Sequence, residues 1–214
     1  MSLYFYLIIL TLCFLVGLFY LRDLPESLIP IFFLVLTTVI VESIGLYFLK
    51  VLHRTASIIF HIYQIFEYFF LAKFFLHIVR SVQWKRIINA SIYCIIFINL
   101  LTIFHMVDNT RLFNVYVFLS AALLLTVWSF LYFSQLFQNI QEFRLEKNPN
   151  FWICTGIVFF YAGSFFQMGF TNSIYRYSPE LARQLYVINH LLNCIFYGLV
   201  TYGFICQTKY RNQL

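Results

Sequence analysis

Charge is what this sequence has least of. Its 214 residues include 8 acidic and 14 basic side chains, 10% of the chain, against roughly 25% in an ordinary soluble domain. With 62% apolar and 22% aromatic residues and a mean hydropathy of +0.83, that scarcity excludes a water-soluble fold. Catalytic signatures are missing too: the sequence has no phosphate-binding GxxxxGK[ST] loop, no nucleophile elbow and no HExxH zinc helix. The last hydrophobic block offers only His190, without the HxxxH spacing that a membrane zinc hydrolase would use, and its one nearby lysine, Lys209, lies past its end, where it cannot serve as a retinal anchor. The five cysteines (Cys13, Cys94, Cys154, Cys194 and Cys206) form no CxxC pair and all fall in apolar blocks, so they read as small hydrophobes at helix contacts rather than as disulfides. No internal repeat is visible, which argues against a duplicated transporter.

What is present is a series of long apolar runs. About 20 residues cross a bilayer as a helix, and seven runs qualify: 3–21, 28–49, 58–79, 87–107, 112–137, 151–170 and 184–206. Their continuity, with no ten-residue alternation, selects helices over barrel strands, so the fold class is an all-α seven-transmembrane-helix bundle forming a single domain over residues 1–214. The two longest connections, 138–150 and 171–183, have 13 residues each, too few for a soluble catalytic or nucleic-acid-binding domain. Ser178-Pro179-Glu180 has the pattern of a helix start. Asn148-Pro149-Asn150 is expected to stop one helix and cap the next, with Asn150 as acceptor. The first run lacks a basic flank and a small-residue cleavage site, and is read as a retained span.

Loops 1, 3 and 5 and the C-terminus hold eight cations (Arg22, Arg80, Lys85, Arg86, Arg144, Lys147, Lys209 and Arg211), and Lys73 can snorkel to the same side. The other side holds five: Lys50, Arg54, Arg111, Arg176 and Arg183. The positive-inside rule then places the N-terminus out and the C-terminus in. The formal net charge of +6 accordingly reflects topology and anionic headgroups, not nucleic acid.

Ionisable residues inside hydrocarbon cost at least a few kcal/mol each and usually face the bundle interior. The second run carries Glu42 with Ser43, and the third places His61, Gln64 and Glu67 on a slanted stripe with Lys73 roughly opposite Glu67. In the seventh, Tyr186, His190, Asn193, Tyr197 and Thr201 recur at spacings of three and four. Gly156, Phe160, Gly163 and Gln167 share a face of the sixth, where small residues permit close approach. In the N-out orientation Glu42, His61, Gln64, Gln167 and His190 lie in the outer half of their spans, Glu67 and Asn193 near the middle, and Tyr197 and Thr201 in the otherwise apolar inner half. The expected site is an outward-facing pocket lined by Glu42, His61, Gln64, Glu67, Gln167, His190, Asn193 and Tyr197. No cofactor or metal is expected. His77 and His105, near span ends, read as interfacial residues, and the tryptophans and most tyrosines as belt and packing residues.

Val41-Glu42-Ser43, the segment from His61 to Tyr68, Phe151-Trp152 with Gly156 and Phe159-Phe160-Tyr161, and the segment from Leu192 to Tyr197 together resemble small seven-span inner-membrane proteins of Bacteroidota that have no assigned activity. The resemblance implies a bacterial inner-membrane protein similar to the stand-alone membrane sensor modules of signalling kinases, without a kinase domain. The functional expectation is a receptor-like or sensor-like module that binds a small amphipathic or lipidic ligand in the polar pocket and signals through a cytoplasmic partner or a homo-oligomer. A docking element is expected where the fifth span continues as a helix through Gln141–Lys147. Two other readings stay open: a proton-coupled small-solute transporter or oligomeric channel relaying charge through Glu67 and His190, and a membrane-embedded lipid-modifying enzyme.

Overall fold

The structure is a computed structural model that describes residues 3–53, 57–105, 115–138, 145–177 and 179–210, with side chains placed for 4–53, 58–103, 115–138, 145–169 and 187–207. It contains seven α-helices and, among the described residues, no strand: α1 (Leu3–Phe19), α2 (Ile29–Lys50), α3 (Ser57–Ile78), α4 (Val82–His105), α5 (Val115–Gln138), α6 (Pro149–Tyr177) and α7 (Pro179–Tyr210). Six of them, α2 to α7, are long and apolar enough to cross a membrane, whereas α1 is a shorter apolar helix of 17 residues. Each of the six buries less than half of its most apolar stretch inside the protein. The remaining apolar surface, such as Phe5, Ile8 and Leu12 on α1 or Tyr93 and Phe97 on α4, points outward. Helices that are apolar on every face and only partly covered by protein need lipid around them. The chain is a helical integral membrane protein.

The packing order follows from which helices touch. Helix α1 packs on α2 and α7, α2 on α3, α3 on α5, α5 on α6, and α6 on α7. These six close a ring, while α4 lies against α3 and α5. Neighbours in the ring run antiparallel, apart from the parallel pairs α3 with α5 and α1 with α7. The termini of successive helices therefore gather at two ends of the bundle, and the end that carries the start of α1 also holds the last turns of α2 and α6 and the first turns of α3, α5 and α7. At the opposite end the interior is filled by Phe32, Phe74, Phe75, Ile153 and Phe204, all nearly inaccessible. Beyond that layer, at the same end, a cavity of about 310 Å³ is lined by polar residues that include His77, Arg80, Gln135, Asn148 and Asn150.

Three boundaries depart from expectation. The connection 171–183 is helical wherever it is described, because α6 continues to Tyr177 and α7 begins at Pro179. Hydropathy marks where the lipid-soluble part of a helix ends, not where its backbone hydrogen bonding ends. For the same reason α4 starts at Val82, taking Lys85 and Arg86 into a helix. The fifth helix is described to Gln138, and residues 139–144 of the expected docking element lie outside the described residues; its end, Leu145–Lys147, is a 3-10 turn instead of a continued α-helix. The Glu146 carbonyl of that turn accepts from Trp152 Nε1 at 3.1 Å and Cys206 Sγ at 3.3 Å, which folds it back on α6 and α7 instead of projecting it. The cap of α6 is Asn148 rather than Asn150: its Oδ1 accepts from the Asn150 amide at 3.0 Å, with Pro149 first in the helix. Ser178, Arg144 and Arg211 lie outside the described residues, as do the side chains of His105, Arg176, Glu180, Arg183, Tyr186 and Lys209.

Candidate functional site

Helical spacing builds the site from four helices. Thr38 and Glu42 stand one turn apart on α2, Tyr63 and Glu67 one turn apart on α3, and Asn189, Asn193 and Tyr197 climb α7 at intervals of four, so each set shares a face. Tyr6 of α1 completes the group. These residues line a cavity of about 180 Å³ inside the ring, walled by Phe60, Phe118, Phe160 and Met168 and bordered by Gln64. Most of them belong to the half of the bundle nearest the start of α1, with Thr38, Phe160 and Tyr197 near mid-height.

Tyrosine hydroxyls organise the carboxylates. Tyr6 Oη donates to Glu42 Oε1 at 3.0 Å, and Tyr161 Oη donates to Glu67 Oε1 at 2.8 Å. Between the two acids, Thr38 Oγ1 lies 2.8 Å from Tyr63 Oη, accepts from Tyr197 Oη at 3.3 Å and donates to the Leu34 carbonyl at 2.8 Å. One threonine thus joins α2, α3 and α7. The Asn193 side chain donates to the Asn189 carbonyl at 2.9 Å and lines the cavity. Among the described residues, neither carboxylate has a cationic partner; each receives a single tyrosine.

Five of the eight residues expected at the site line this one cavity: Glu42, Gln64, Glu67, Asn193 and Tyr197. His61, Gln167 and His190 do not. The 100° step per residue explains the first. The cavity face of α3 centres on Phe60, Tyr63, Gln64 and Glu67, from which His61 is turned by roughly 110°; it is buried elsewhere. Gln167 shares the α6 face of Gly156, Phe160 and Gly163 but stands two turns beyond Phe160 toward the helix end, buried and outside the cavity lining. His190 sits at the edge, its ring 5.9 Å from that of Tyr6, and its Nδ1 has no hydrogen-bond partner. The histidines therefore do not pair with the carboxylates, as a charged pocket of acids and histidines would require. Among the described residues, no three His, Cys, Asp or Glu side chains come close enough to hold a metal ion.

The residues not anticipated are Tyr6, Thr38, Tyr63, Tyr161, Asn189 and Asn99. Thr38, Tyr63 and Asn189 lie one turn from Glu42, Glu67 and Asn193, so the acids and the asparagine were signposts for them. Tyr6 and Tyr161 have no such signal, because their partners are on other helices. Asn99, on α4, is 1% exposed, and both of its amide atoms lack a hydrogen-bond partner. It lines a second, very small void of about 10 Å³ together with Gln64, Glu67 and Tyr161. Gln64 and Glu67 border both spaces.

No family model matches this chain, and neither a curated protein nor a solved structure is similar to it.

Proposed function

We propose that the chain is a receptor-like integral membrane protein of seven spans, N-terminus out and C-terminus in, that binds a small ligand in the polar cavity and acts through a cytoplasmic partner or a second copy. The observation that carries this reading is the contrast between the two ends of the ring. One half holds a cavity edged by two carboxylates, three tyrosines and two asparagines, and beneath it lies an apolar layer of Phe32, Phe74, Phe75 and Phe204, with a separate cavity of about 310 Å³ lined by His77, Arg80, Gln135, Asn148 and Asn150 at the far end, without an acid among the described residues. A carrier or channel needs polar groups to continue through the bundle, whereas a blind polar cavity above an apolar layer suits a binding module. The resemblance to stand-alone sensor modules of the bacterial inner membrane agrees with it.

The test is performed on the full-length protein in nanodiscs and in proteoliposomes. Small molecules that co-purify with the wild type are extracted, identified by mass spectrometry and assayed for thermal stabilisation. Phe in place of Asn193 fills the cavity, and that variant should lose both the co-purifying molecule and the stabilisation. Receptor behaviour predicts binding without counterflow; uptake of the same molecule into proteoliposomes would replace the receptor with a carrier.

A further inference from the structure

We propose that the ligand of the cavity is a small primary amine whose ammonium group sits between Glu42 and Glu67, its carbon chain against Phe60, Phe118 and Phe160; this rests on the ligand-binding reading above. The argument begins with acceptor excess. An ionised carboxylate offers about four lone-pair positions, and Glu42 and Glu67 each receive one tyrosine donor. Among the described residues, no lysine, arginine or histidine lines the cavity. Two acids enclosed together without a countercharge are costly in a membrane interior, and the deficit is met by a cation or by protons.

Gln64 decides between them. It is 6% exposed, it lines the cavity, and both of its side-chain amide atoms lack a partner. A proton on one glutamate supplies a single donor, enough for one acceptor, while an ammonium group has three donors to distribute, enough for both carboxylates and the Gln64 oxygen. A quaternary ammonium has no N–H to give these acceptors. The apolar wall argues against a bare metal ion, which would demand six or more oxygens, and the aromatic faces add attraction for an organic cation. Size limits the molecule: about 180 Å³ holds several water-sized groups and falls short of the roughly 300–1,000 Å³ of drug-sized sites.

Thermal unfolding of the full-length protein at constant ionic strength provides the test, with butylammonium, tetramethylammonium, butanol, butyrate and sodium as probes. At ten times its Kd, butylammonium should raise the Tm by a few degrees and tetramethylammonium by less. Glu42→Gln and Glu67→Gln, which retain an acceptor for their tyrosines, should each weaken butylammonium binding at least tenfold. Gln64→Leu, which removes no charge, should weaken it by a smaller factor and serves if a glutamate variant does not fold. Equal stabilisation by butanol, or stabilisation by butyrate, would overturn the amine while leaving a ligand cavity. A sodium effect as large as that of butylammonium would make the ligand an inorganic cation and likewise overturn it, as would full binding in all three variants. If no probe shifts the wild type and no co-purifying molecule is found, the ligand-binding reading falls with the amine.

Discussion

At the scale of single residues, two half-buried carboxylates, Glu42 and Glu67, each accept a hydrogen bond from a tyrosine on another helix. Tyr161 is 1% exposed, and its hydroxyl lies 2.8 Å from Glu67 Oε1. Within a membrane such contacts average about 0.6 kcal/mol and reach about 1.7 kcal/mol, since the unfolded chain in lipid finds partners as well. Tyr161→Phe removes the donor and leaves Glu67 with none among the described residues. A double-mutant cycle with Glu67→Gln, measured by unfolding in detergent, is expected to give a coupling of about 1–2 kcal/mol; additivity would show that the bond carries nothing. A second residue-scale expectation concerns Gln64 and Asn99. Four unpartnered amide atoms around a void of about 10 Å³ match the space and the partners that one water needs. With a shared water, Gln64→Leu and Asn99→Leu should each destabilise by about 1–2 kcal/mol, and the double variant by clearly less than their sum. Additive losses would exclude the shared water. Glu42 and Glu67 were legible in the sequence because charge inside an apolar run is conspicuous. Tyr161 and Tyr6 were not, because a tyrosine among 16 becomes special only through the helix opposite it.

Between elements, the closest approach is that of α6 and α7. A Cβ at Gly156 would stand 3.3 Å from Leu199 Cβ and 3.5 Å from the Phe196 carbonyl oxygen, both close to the backbone and unable to swing away. At Gly163 the neighbours are the terminal methyls of Leu192, at 2.8 and 2.9 Å, which a rotamer change can move. The two glycines should therefore respond differently. Gly163→Ala should cost about 1 kcal/mol, whereas Gly156→Leu should force the helices apart and cost about 3 kcal/mol or more. Gly198→Ala meets nothing within 4 Å and should be neutral or stabilising by up to about 1 kcal/mol, through helix propensity alone. Equal effects at all three positions, read from thermal melts, would deny the close packing. The glycine face of α6 was readable from its spacing because contact faces repeat at the helical period. The ends of α6 and α7 were not, since polar residues beyond the hydrocarbon remain helical when two helices support each other there.

For the whole molecule, the question is which end faces out and whether α1 crosses. At 1.5 Å per residue, its 17 residues give about 26 Å, a little less than the roughly 30 Å of hydrocarbon. Two contacts nevertheless fix its depth. Lys50 Nζ donates to Tyr4 Oη at 3.2 Å, and it lies 5.2 Å from the Tyr4 ring centre, so the first turn of α1 is level with the last turn of α2, a helix of 22 residues. A tyrosine and a lysine meeting at a helix end are the usual furniture of the membrane interface, and a shortfall of a few Å is absorbed by local thinning. With α1 across, the end holding the start of α1 and the cavity carries five cations and the opposite end nine, counting Lys73. In a variant lacking Cys13, Cys94, Cys154, Cys194 and Cys206, single cysteines at positions 2 and 176 should react with an impermeant maleimide in intact cells. One at position 144 should react only after the inner membrane is permeabilised. Labelling at 144 but not at 2 or 176 would invert the bundle and turn the cavity toward the cytoplasm, and labelling at 176 alone would keep the cavity outside but remove α1 from the set of spans.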